Sequence, residues 1–328
     1  MRYIYSILFA LILAAPFAAR WVIVAPDRTA TSDANAARLV ILTPHNGDIR
    51  REFARAFDLW HRSRYGRAVT IDFRVPGGTT DMVHLLTALY AGYRDASGKL
   101  PQSFSANLGL QLAWGGGDYT YYHELQPLGI LEPMHLPREL LRQAFPKDTL
   151  AGVRLYDGTK DASGNPTPQW VGVVLSSFGI VYNSQLYQTL SLPYPKSWFD
   201  LADPKLFQLV TLADPGHSGS AAVCYMMVLQ RAMADGEEHF FAARPKLRKL
   251  PSAELNKRAD YRKAIADGWR RGMGQLLLVA ANARYFSDSS EVPPTDVSRG
   301  EAAAGMSIDF YARVTEGIVG SDRAHFIS

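Results

Sequence analysis

Four short segments combine glycine with small hydroxyl residues in a way that suits an oxygen-rich anion. They are Thr43 to Asp48, Gly77 to Asp81, Gly115 to Asp118 and Gly216 to Ser220. Glycine lets the main chain come close to a ligand, and the N–H groups and dipole at a helix start favour negative charge. Serine and threonine hydroxyls add donors. The same residue types also build ordinary N-caps and tight turns, so each segment taken alone fits either role. Gly216-His217-Ser218-Gly219-Ser220 further approaches the G-x-S-x-G elbow of serine hydrolases, with Ser220 where the last glycine belongs. A nucleophilic Ser218 would require an acid and a histidine later in the chain. His239 and His325 are the later histidines, and nothing in the sequence around them poises either one. The eight histidines are scattered, without an H-x-x-x-H or H-E-x-x-H spacing, and no cofactor motif or Walker A pattern occurs.

The elements that must carry these segments alternate between strand and helix. Leu39 to Leu42 is a short apolar run closed by Thr43-Pro44-His45-Asn46-Gly47. Ile49, Phe53, Ala56, Phe57 and Trp60 then recur at helical spacing, with Arg50, Arg51, Arg55 and Asp58 off that stripe. Val69 to Val75 alternates as a strand does, Pro76 to Thr80 breaks it, and Met82, Leu85, Leu86 and Leu89 form the next helical stripe. Leu110 to Trp114, Val171 to Leu175, Gly179 to Tyr182 and Leu209 to Leu212 read as further strands. Strand-then-helix order predicts α/β layers with mainly parallel strands, and ligands of such sheets sit at the carboxyl ends of the strands. Tyr119, Tyr121, Tyr122 and His123 form an aromatic cluster after the third turn, suited to a cleft wall or to packing between lobes. Arg244 to Lys249 is a basic stretch that reads as a solvated face or a docking point for a partner.

The chain has 328 residues, of which 47% are hydrophobic and 20% charged, a globular composition with room for two domains or lobes. The net charge of +4 is mild and its basic residues are dispersed, which argues against a nucleic-acid partner. Cys224 is the single cysteine, so no internal disulfide forms, and it reads as a small core residue. Met1-Arg2 opens a charge-free, mostly apolar run from Tyr3 to Ala19, and apolar character resumes at Trp21 to Ala25. Residues 1–37 are therefore expected to be a secretory signal or an uncleaved membrane anchor followed by a polar linker, placing the protein in the periplasm or otherwise outside the cytoplasm.

Leu42-Thr43-Pro44-His45-Asn46, Gly77-Gly78-Thr79-Thr80, Trp114 to Asp118 and Ser177 to Asn183 resemble, in that order, segments of extracytoplasmic solute-binding proteins of ABC importers, of the ferric-iron type and family 1. Ser197 to Pro204, Ala213-Asp214-Pro215 with Ser218-Gly219-Ser220, and Gly305 to Tyr311 continue the resemblance to the C-terminus. It implies an α/β, two-lobed periplasmic binding protein-like fold of type II, with mostly parallel sheets flanked by helices and a hinge near Ser177-Phe178. Lobe 1 is expected over residues 38–177 and lobe 2 over 178–318. Family members usually continue with strands and helices that return to the first lobe, so 319–328 is expected to begin that return in a truncated chain.

The resemblance also implies a non-enzymatic, monomeric receptor that hands its solute to a membrane permease. Thr43, His45, Asn46, Gly78, Thr79, Gly116 and Asp118 would bind from the first lobe. Ser218, Gly219, Ser220, Ser289, Ser290, Asp309 and Tyr311 would bind from the second. Iron-binding members use adjacent tyrosines with a histidine and an acid. Here the pair reads Phe310-Tyr311, so a ferric site would fall to His45, Asp118 and Tyr311, and a phosphorylated or organic anion suits the glycine and hydroxyl turns better. No cofactor is expected.

Overall fold

The first helix among the described residues is fastened by its polar edge. In the computed structural model, which describes residues 36–100, 109–117, 120–150 and 153–328, strand β1 (Ala37–Leu42) leads into helix α1 (Gly47–Tyr65) and strand β2 (Val69–Arg74). Asn46 caps α1 by accepting the Ile49 amide at 3.0 Å, and Gly66, at φ 68°, ends it in the left-handed conformation that glycine adopts without penalty. Asp58 accepts the Val69 amide at 3.0 Å and His61 donates from Nδ1 to the Arg67 carbonyl at 2.8 Å. These bonds turn Asp58 and His61 towards β2. The stripe expected to face the core lies elsewhere on the helix: Trp60 is 52% exposed, while His61 is buried. Residues up to Ile41 and from Asn46 to Phe73 make one compact unit; Leu42–His45 and Arg74–Ser328 make the other.

The second unit opens with helix α2 (Thr79–Ala91) and a two-residue strand β3 (Leu112–Ala113). The Trp114 amide donates to the Leu42 carbonyl at 2.8 Å, and the Thr43 amide to the Arg74 carbonyl at 2.9 Å. Leu42, Met82, Leu86 and Leu125 form a small buried core here, with Tyr121 packed against it. Burial pushes the Tyr121 phenol up. Tyr121 is thus a packing residue, whereas Tyr119 lies outside the described residues. Helix α3 (Arg138–Ala144) and the hairpin of β4 (Thr149–Leu150) with β5 (Val153–Arg154) follow. Asp157 ties these loops together, accepting from Gln126, Thr159 and the Gln169 amide while only 2% exposed. Val171 to Leu175, expected as a strand, makes only an isolated bridge from Val171 to Tyr156, and Val173 and Val174 stand 70% and 76% exposed. No neighbouring strand pairs with it among the described residues, so its β-forming composition has no ladder to join.

A five-stranded sheet carries the rest. Its strands are β6 (Phe178–Tyr182), β7 (Val210–Ala213), β8 (Ala283–Ser287), β9 (Ala304–Ile308) and β10 (His325–Ile327), in the order β10-β6-β9-β7-β8. β7 pairs parallel with β8 and β9, as strand–helix alternation predicts. β6 and β10 enter antiparallel, so the sheet is mixed, and residues 325–327 add to its edge. Helices α4 (Ser184–Thr189), α5 (Gly219–Ala243), α6 (Ser252–Leu255), α7 (Ala259–Ala281), α8 (Val292–Arg299) and α9 (Asp309–Val319) complete the unit. Leu201, Leu206, Val210, Leu212, Val228, Val279 and Met306 are buried in its main core. Cys224 sits there too, its thiol pushed up to about 12 by burial, as expected of an inert core cysteine. α5 and α7 meet backbone to backbone: a methyl group on Gly268 would stand 2.7 Å from the Ala232 carbonyl oxygen.

Candidate functional site

The starts of two long helices face each other. Gly78 caps α2, and Asp81 reaches back to accept the Gly78 amide at 3.1 Å. Ser218 caps α5, its hydroxyl accepting the Ala221 amide at 3.3 Å. A Cβ on Gly78 would lie 2.1 Å from the His217 carbonyl oxygen, and one on Gly219 would lie 2.9 Å from Cβ of Thr79. Only glycine permits that approach. His217 Nδ1 lies 3.3 Å from Asp81 Oδ1, bridging the same two turns. Behind them Ser218 and Ser290 share a hydrogen bond at 2.6 Å between hydroxyls, both residues buried, and the Ser307 hydroxyl donates to the Ser290 carbonyl at 2.9 Å.

A second, aromatic group is gathered around His45. The His45 and Trp114 rings meet edge-on at 4.5 Å, and Phe310 lies 6.4 Å from His45 and 4.3 Å from Tyr311. Gly115, at φ 100°, lies beneath the His45 ring, where a Cβ would stand 2.7 Å from Nε2. Burial lowers the His45 imidazole from its ordinary value. Burial, aided by the Glu291 carboxylate, pushes the Tyr311 phenol up to about 12, so it remains a hydroxyl donor at neutral pH. Glu291 follows Ser290 in sequence and opposes ionisation of Tyr311.

The remaining expected residues divide between this neighbourhood and local roles. Thr43 is fully buried and accepts the His45 amide at 3.2 Å. Asn46 caps α1 in the first unit. Gly116 is exposed at φ 94°, and Asp118 lies outside the described residues. Ser220 is half-buried in the first turn of α5. Ser289 accepts the Glu291 amide at 3.2 Å, a loop bond. Asp309 opens α9, donates its amide to the Ser177 carbonyl at 2.9 Å and accepts the Ser177 hydroxyl at 3.3 Å. Its Oδ1 is buried with no hydrogen-bond partner among the described residues.

Asp81 and His217 belong to the expected turns but not to the expected binding residues, and Trp114 and Phe310 are not among those residues either. An acid three residues after a helix-capping glycine is a recognisable capping signal, so Asp81 was open to detection. The three others owe their positions to tertiary contacts. No group of three or more histidine, cysteine or acidic residues able to hold a metal occurs among the described residues. Ser218 has a serine and a backbone amide as its hydroxyl partners, His239 is engaged with the Asp235 carbonyl, and His325 with Glu316.

No protein-family model matches the chain, and no curated protein matches it in sequence. Solved structures do match in fold. The periplasmic binding protein P5PA aligns at a TM-score of 0.51 and 18% identity, over 89% of this chain and 69% of that one. AfuA from Actinobacillus pleuropneumoniae, a periplasmic binding protein with exogenous fructose-6-phosphate bound, aligns at 0.53 and 18% identity, over 88% and 68%. The chain has the α/β fold of type II periplasmic binding proteins.

Proposed function

We propose that the protein is an extracytoplasmic receptor, the substrate-binding component of an ABC importer, and that it takes a small oxygen-rich anion, phosphorylated or organic. The observation that carries this reading is the meeting of Gly78-Thr79 at the start of α2 with His217-Ser218-Gly219 at the start of α5. Two helix starts that converge supply amide donors and positive dipole ends from both sides of one solute, and Thr79, Ser218 and Tyr311 bring hydroxyls. His45 and Trp114 offer an apolar wall of the kind that covers a sugar or carbon skeleton. The fold supports the receptor role, and the sugar phosphate carried by AfuA is a solute of the proposed class. Release to a permease follows when the segments bearing α2 and α5 part.

A thermal-shift series with hexose phosphate, inorganic phosphate, ferric citrate and spermidine tests it. A ligand at 100 times its dissociation constant stabilises by about 2.7 kcal/mol. The expected winner is a phosphorylated or carboxylated solute, weakened at least tenfold by Thr79→Val. A shift with ferric citrate alone, with a visible phenolate-to-iron band, would replace the anion reading with a ferric one.

A further inference from the structure

The outward face of α1 has the composition of a helix that lies on a membrane surface. Asp58 and His61 hold the opposite edge against β2 and the chain before it, and Arg50 lies over the Phe73 ring at 5.9 Å. What turns away is apolar and aromatic: Leu59 is 61% exposed, Phe53 56% and Trp60 52%, with Ala56 exposed one turn before Trp60. The 47–67 segment carries six arginines, at 50, 51, 55, 62, 64 and 67, against three acids, Asp48, Glu52 and Asp58. Asp48 and Asp58 are engaged by Arg51 and Arg62, so the helix keeps an excess of positive charge. Tryptophan, phenylalanine and leucine beside arginine are the side chains that settle at the headgroup level of a bilayer.

We propose that this face docks on an anionic lipid surface. Chain geometry favours that occupant. The apolar run of Tyr3 to Ala19 and Trp21 to Ala25 ends eleven residues before Ala37, and eleven residues span at most about 40 Å. A bilayer engaged by that run therefore stays within reach of α1. The arginine excess disfavours self-association through the same face, since two copies would bring the Arg64 of each against the other's cations.

The test uses the full chain carrying an environment-sensitive fluorophore at Ala56→Cys, with a second label at Ser163→Cys, on an exposed loop far along the chain, as control. The native Cys224 is buried and does not compete. With vesicles of phosphatidylcholine and phosphatidylglycerol, the label at 56 should shift to the blue and be quenched by lipid-borne nitroxide, while the label at 163 stays unchanged. Arg64→Glu should weaken the shift roughly fivefold or more, and raised salt should weaken it further. Circular dichroism confirms that the variants fold. A label at 56 that remains in water while the chain sediments with vesicles overturns the proposal. So does quenching equal on pure phosphatidylcholine, or a blue shift without lipid accompanied by a dimer in light scattering.

Discussion

Asp81 and His217 stand 136 residues apart in sequence and meet at 3.3 Å, carboxylate oxygen to imidazole Nδ1, while the same carboxylate accepts the Gly78 amide. The carboxylate thus holds the position that an anionic solute would claim at the start of α2. Asp81→Asn should raise affinity for the best phosphorylated solute by roughly fivefold, since a like charge at close range costs about 1 kcal/mol in a wet site. Its effect on stability should stay under about 1 kcal/mol, as befits a partly exposed pair. Isothermal titration reads the first and urea unfolding the second; unchanged or weaker solute binding would sink the competition.

Gly78→Ala should destabilise the fold by about 1–3 kcal/mol, because the added carbon would collide with the His217 carbonyl. Gly92→Ala, with open space around it, should change stability by no more than about 1 kcal/mol. Equal midpoints for the two variants in urea would mean that the two turns do not touch in solution.

Ser218→Ala removes the cap of α5 and the partner of Ser290, and should cost about 1–2 kcal/mol. Ser290→Ala keeps the cap and should cost less. A double-mutant cycle gives the coupling of the two hydroxyls; a coupling near zero would refute the bond between them.

Stability should fall as the solution is acidified below the ordinary imidazole value of 6.5. Burial lowers the His45 pKa in the folded chain, so the unfolded chain takes up its proton first as pH drops. The contribution is complete above 6.5 and lost as pH falls through the folded value. At high pH the sign reverses for Tyr311. Its phenol is held up at about 12, so stability declines between 10.0 and that value as the unfolded chain ionises first. Urea unfolding of His45→Gln and Tyr311→Phe should show flatter profiles at the two ends, and profiles identical to the parent would contradict both assignments.

Val174→Ser should change stability by under about 0.5 kcal/mol, because the side chain is 76% exposed. A loss of several kcal/mol would restore the strand that the sequence suggests there.

The buried strands were legible because they are short apolar runs bounded by glycine and proline, and Leu39–Leu42, Gly179–Tyr182 and Leu209–Leu212 fall within or beside β1, β6 and β7. The capping roles of Asn46 and Ser218 follow from local chemistry that survives folding. What stayed hidden depends on partners distant in sequence. Val171–Leu175 has strand composition without a partner strand among the described residues, and α1 is held by its polar edge at Asp58 and His61, whereas periodicity selected the apolar side that is largely exposed. The antiparallel entry of β6 and β10 is set by chain crossovers that no local pattern encodes. His217 was legible as part of a turn, but its carboxylate partner was not.

The glycine-lined seam between α5 and α7 has a mechanical corollary. α5 runs 25 residues, about 37 Å, and around Ala232 to Gly236 its backbone sits directly on α7 with no soft side-chain layer between. Phe240 and Phe241 stand near its far end, where Arg244 and Arg248 lie over their rings. The helix joins the Ser218 turn at one end to the basic surface around Pro245 to Lys249 at the other as one stiff rod.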